Sequence, residues 1–84
     1  MNAPKFKIWD FVVVKDGAPK RSCPGQRVRI WGIIEAENRP PDKLKNIPPG
    51  RVYRCEFWGP DGEPLSCEAA EQDLELSDDQ SDDD

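Results

Sequence analysis

At 84 residues, 36% of them hydrophobic, the chain is sized for a single domain with a modest core, and no apolar run reaches the roughly 18 residues that a membrane helix needs. Its net charge of −5 is unevenly spread: residues 1–70 carry twelve Lys/Arg against nine Asp/Glu, and residues 71–84 carry eight acids and no base. A mildly basic body with a polyanionic end falls short of the strongly basic domain expected for nucleic-acid binding, and the lack of an apolar leader points to a soluble cytoplasmic protein.

Nine prolines, six glycines and little helical periodicity predict a small all-β unit of about 75 packed residues. Residues 1–5 should fray, with Pro4 as a boundary. Phe6 to Val14 (FKIWDFVVV) carries apolar residues on both parities, with Phe6, Ile8, Val12 and Val14 against Trp9, Phe11 and Val13. It reads as a strand pair or one long bent strand, either covered on both sides or changing face at a bulge near Asp10. Lys15 to Gly25 is a loop, marked by Asp16-Gly17, Pro19 and Pro24-Gly25.

Gln26 to Ala36 (QRVRIWGIIEA) is the longest extended run and the expected central strand. Val28, Ile30 and Ile34 form its predicted core face, and Gly32 within that face implies a bend, a bulge or close approach of a neighbouring backbone. Glu37 to Gly50 contains two Pro-Pro pairs and reads as a long projecting loop with Leu44 and Ile47 as its apolar anchors, a candidate partner-contacting arm. Arg51 to Trp58 resumes alternation, with Tyr53, Cys55 and Phe57 facing inward. Gly59-Pro60-Asp61-Gly62 is the strongest turn, returning the chain as a strand over Glu63 to Cys67. Glu68 to Asp73 suits a short helical or 3-10 turn, and Leu74 and Leu76 a brief last strand, so the domain spans 1–76. Residues 77–84 (SDDQSDDD) are expected to form a disordered acidic tail that solubilises the chain, or else folds back on the basic face to compete with an acidic partner or nucleic acid.

The order of an apolar strand, a Gly/Pro loop, QRVRIWGII, a strand ending in EFW, a GPDG turn and a closing EAAEQDLEL resembles the Src-homology-3-like small barrels. That family includes Tudor and KOW-type domains and small accessory subunits of photosynthetic complexes. The resemblance covers Phe6 to Leu76 and implies a five-stranded barrel acting as a binding module or accessory subunit. One catalytic relative, the type II dihydrofolate reductase, carries a Val-Gln-Ile-Tyr motif that is missing here.

The absence of histidine removes the commonest general acid-base and any Cys-His or Ser-His nucleophile pair, and no GxxxxGK or GxGxxG phosphate cradle occurs. A non-catalytic protein without cofactor is therefore expected. Cys23, Cys55 and Cys67 include no CxxC pair, and a zinc site would need all three thiolates plus a carboxylate; reduced thiols, with Cys55 and Cys67 near each other in the core, are the simpler expectation. The predicted partner-binding residues are Trp9, Arg27, Arg29, Trp31, Arg51, Arg54 and Trp58, since tryptophan beside arginine is the composition of protein-interface hot spots. The alternative is a phosphate-facing stripe of Arg27, Arg29, Arg51 and Arg54 with Trp31 or Tyr53 as stacking surface for nucleic acid.

Overall fold

The computed structural model of the chain describes residues 3–40, 44 and 46–77. Five antiparallel strands, β1 (Phe11–Val14), β2 (Arg27–Ile34), β3 (Val52–Trp58), β4 (Pro64–Ala70) and β5 (Leu74–Leu76), form one sheet in the order β4-β3-β2-β1-β5. The all-β expectation holds, but among the described residues no ladder joins β4 to β5, so the sheet is open instead of a closed barrel. Three 3-10 turns, Lys20–Ser22, Ala36–Asn38 and Glu71–Asp73, punctuate the connections.

Side chains of alternate parity from all five strands meet on the inner face. Val12 lies opposite Val28, Ile30 opposite Cys55, Cys55 opposite Cys67 and Val14 opposite Leu74. All of these are buried, together with Tyr53 and Ala69. Phe6 closes this core from the N-terminal segment, its ring edge-on to Tyr53 with centroids 5.4 Å apart. Such T-shaped contact adds to the area the two rings remove from water.

Two bulges shape the sheet, and both were foreshadowed by the sequence. Between Ile30 and Gly32 the β2–β3 register slips, so Ile30 pairs with Cys55 and Gly32 with Arg54, leaving Trp31 as the unmatched residue. An added residue reverses the parity that follows it. Ile33 thus turns to the main core opposite Tyr53, and Ile34, expected beside Val28 and Ile30, instead joins a second cluster with Leu44, Ile47, Val52 and Ala70. The other bulge lies at Trp9 and Asp10: the Trp9 amide donates to the Ile30 carbonyl (2.7 Å) and the Ile30 amide to the Asp10 carbonyl (3.0 Å), two residues facing one. Upstream of it the chain is not a strand, and Ile8 is exposed instead of sharing the face of Phe6.

β4 runs three residues further than its sequence implied. Glu68, Ala69 and Ala70 pair with Arg54, Tyr53 and Val52, and only Glu71–Asp73 form the expected turn. Alanine favours helix in isolation, but burial of Ala69 and Ala70 against two clusters outweighs that preference. Ser77, placed in the tail by its sequence, is buried, with its amide donating to the Phe11 carbonyl. The rest of the acidic tail, residues 78–84, lies outside the described residues, as do residues 41–43 and 45 of the Pro-rich segment.

The described part of that segment is fastened down by Arg39. Its guanidinium donates to the carbonyls of Pro48 (2.6 Å), Gly50 (3.1 Å), Leu44 (2.9 Å) and Ile47 (2.9 Å), while Leu44 and Ile47 insert their side chains beside Val52. Charge-assisted bonds to four carbonyls substitute for the backbone ladder that two Pro-Pro pairs preclude. Replacing Arg39 with Ala should lower the unfolding free energy by about 2–3 kcal/mol. Urea denaturation would show this as a lower midpoint at unchanged slope.

Candidate functional site: an arginine and tryptophan face

The outer face of the sheet is built from the opposite parity. Across four strands, Phe11, Arg29, Glu56 and Ser66 lie in one register row. Gly32, Arg54 and Glu68 form the next, two residues along β3, a spacing of about 7 Å. Three tryptophans border these rows. Trp9 is 59% exposed, Trp58 50% and Trp31 38%.

Each tryptophan is paired with a guanidinium. Arg29 sits between two indoles, 4.7 Å from the Trp9 ring centroid and 5.3 Å from that of Trp58. Its edge is held by Glu56, which accepts from Nε at 3.0 Å and also from the terminal nitrogen. Arg54 lies 4.5 Å over Trp31, and Arg27 4.4 Å over Phe11 while donating to the Ser77 hydroxyl at 3.1 Å. Cation–π contacts at exposed sites contribute about 0.5–1 kcal/mol each, so their main effect is to hold planar groups in fixed orientations on the surface.

Local backbone geometry places these rings. Trp31 is outward because it is the unmatched residue of the β2 bulge, and Gly32 beside it lets Arg54 lie against the strand: a Cβ on Gly32 would come within 3.3 Å of the Arg54 Cβ. Trp9 occupies the left-handed region at φ 77°, the bulge position where glycine is usual. Such a conformation costs a bulky L-residue about 1–2 kcal/mol. An Asp10 carboxylate accepting from the Lys7 amide at 2.9 Å, together with the two bonds to Ile30, fixes the turn regardless.

Of the seven residues singled out in the sequence, six thus share this face. Arg51 lies elsewhere. Its side chain is 12% exposed and bridges Glu35 (3.0 Å) and Glu71 (2.8 Å), tying the entry of β3 to the turn before β5. The same Glu71 carboxylate accepts from the Tyr53 hydroxyl and from the Lys5 amide at 3.0 Å, and the Phe6 amide donates to the Tyr53 hydroxyl at 3.2 Å. Arg51 is therefore part of the latch that holds the N-terminal segment over the core. Glu56, Arg21 and Glu68 belong to the outer face and were not singled out; their roles depend on the β2–β3 and β3–β4 registers.

The cysteines are free thiols. Cys67 is shifted well above the usual thiol range by its contact with the Cys55 thiol and then by burial, and Cys23 is shifted upward by burial and by Cys67. Both changes favour the protonated, unreactive form. Among the described residues no three His, Cys, Asp or Glu side chains converge to hold a metal ion, and no helix is long and apolar enough to cross a membrane.

No protein family, no curated protein and no solved structure matches this chain.

The latch has a pH signature. Burial opposes ionisation of Glu71, but the bonds from Tyr53, Lys5 and Arg51 outweigh it and hold the carboxyl below its ordinary range. Since the folded value is depressed, the stabilisation is complete above the unfolded pKa and lost as pH falls through the folded one. Wild type should exceed Glu71→Gln in stability at neutral pH, and the gap should close on acidification through pH 4 and below, measured by urea midpoints at each pH.

Proposed function

We propose that this chain is a non-catalytic protein-interaction module, or a small accessory subunit, that docks another protein on the face formed by Trp9, Arg27, Arg29, Trp31, Arg54 and Trp58. The observation that carries this reading is Trp9. A large apolar ring is held in solvent by a backbone conformation that glycine would adopt without strain, an arrangement that folding alone does not favour. Trp58 shares Arg29 with Trp9, and Trp31 stands by Arg54 in the next register row, so three large exposed rings lie on one sheet face, more than a monomer ordinarily leaves uncovered. Preset guanidinium planes lower the side-chain entropy lost on binding.

We extend the proposal to the fold. The meander from β1 to β4, the 3-10 turn Glu71–Asp73 and a short β5 returning to β1 support a Src-homology-3-like arrangement, in which the open sheet stands for the barrel. The nucleic-acid reading draws less support: Arg29 is paired with Glu56 and Arg51 belongs to the latch, which leaves no continuous stripe of guanidinium groups facing outward.

The test separates binding from stability. Trp9→Gly removes the ring and about 1–2 kcal/mol of left-handed strain. Glycine also gives back about 0.5–1 kcal/mol in chain entropy, so thermal unfolding should stay close to wild type. With the full chain as bait, Trp9→Gly and Trp58→Ala should each weaken capture of the same partner protein by about 2 kcal/mol, and wild-type capture should persist as salt is raised. Equal capture by the variants would overturn the proposal. Recovery of nucleic acid that falls away steeply with salt would favour the alternative.

A further inference from the structure

Beside Trp31 the outer face is concave. Arg21, Ile34, Pro40, Leu44, Arg54 and Glu68 line a cleft of about 220 Å³, bounded by β2, β3, β4, the Lys20–Ser22 turn and the start of the Pro-rich segment. Resting on the docking role given to this face, we propose that the cleft receives an acidic side chain from a linear segment of the partner protein: a Glu or Asp carboxylate on Arg54, with a neighbouring aliphatic side chain against Ile34, Pro40 and Leu44.

Charge bookkeeping within the cleft carries the choice of occupant. Glu68 stands directly opposite Arg54 across the β3–β4 ladder, yet its carboxylate bonds Arg21 at 3.3 Å and its carbonyl accepts from the Ser22 hydroxyl at 2.6 Å. Among the described residues Arg54 consequently has no carboxylate partner. Its guanidinium carbon stands 4.5 Å from the Trp31 ring centroid and its stem lies against Gly32, which places the guanidinium fork at the wall of the cleft. A fork of this kind matches a carboxylate in bidentate fashion.

Size and sign narrow the ligand further. The volume suits one or two side chains and lies below the roughly 300–1,000 Å³ of cofactor pockets. The Glu68 carboxylate on the wall disfavours a phosphate, whose second negative charge would face it, more than a singly charged carboxylate. Among the described lining residues Ile34, Pro40 and Leu44 are apolar, which favours a peptide pairing an acid with an aliphatic residue over a free anion.

The probe is an acetylated, amidated pentapeptide, Gly-Leu-Glu-Leu-Gly, compared with its Gln counterpart and with a short single-stranded oligonucleotide, each titrated into the full chain by two-dimensional NMR. The Glu peptide should shift the Gly32 and Arg54 amides and the Trp31 indole saturably, with a Kd about tenfold below that of the Gln peptide. Arg54→Gln should abolish that preference, while Lys15→Gln, which removes one charge at an exposed position outside the cleft, should keep it. Equal affinity for the two peptides, a preference that survives Arg54→Gln, or stronger binding of the oligonucleotide at the same residues would overturn the inference. If the Glu preference is absent while partner capture still depends on Trp9, the cleft assignment fails and the docking face stands. If capture ignores Trp9 and Trp58, the docking face fails whatever the peptides do.

Discussion

The pairing of β2 with β3 around an unmatched Trp31 is the constraint on which the molecule depends. Before the bulge Val28 and Ile30 point into the core; after it Ile33 does, and Ile34 crosses to the other side. That reversal gives the sheet two apolar surfaces at one end, which is why a second cluster exists for Leu44 and Ile47 to cover. It also creates the one place on β2 where a large ring can stand outward beside a glycine. Fold and surface therefore share a single irregularity.

Arginines divide into two kinds of work. Arg39 and Arg51 face inward on carbonyls and carboxylates, each tying loops that the sheet ladder does not reach. Arg29 and Arg54 stand over indole rings at the surface. Arg51 and Arg54 are an odd number of positions apart, so strand alternation sends them to opposite sides; Arg51 stands just before β3, where Glu35 and Glu71 meet beside it.

Much of this was legible in the chain. Alternation around Val28 and Ile30, the turn at Gly59 to Gly62 and the inward parity of Tyr53, Cys55 and Phe57 carry over directly, because each is set by neighbours in sequence. Each bulge was one of the options the sequence left open: near Asp10 from apolar residues on both parities, and at Gly32 from a glycine within the apolar face. The fate of Ile34 was not, since placing it requires knowing which residue of β2 is skipped. The β4 extension was hidden for a related reason: EAA reads as helix until Val52 and Tyr53 are set opposite Ala70 and Ala69. On the candidate site, the tryptophans and arginines stood out by composition, but alternation did not decide whether the rings lie in the core or outside it, and Glu56 and the cleft around Glu68 arise only from registers set across loops. Arg39 was missed because its four acceptors are main-chain atoms and leave no mark in side-chain pattern.

The sheet's borders carry their own implication. β5 is only three residues long, β4 opens on a proline, and the Ser22 hydroxyl occupies the Glu68 carbonyl on that side. These features blunt both borders against strand addition, so under the proposed docking role recognition would fall to side-chain identity. Contacts of that sort discriminate sharply between one amino acid and the next, and under the proposed role they would let so small a domain choose among ligands without growing into a longer sheet with them.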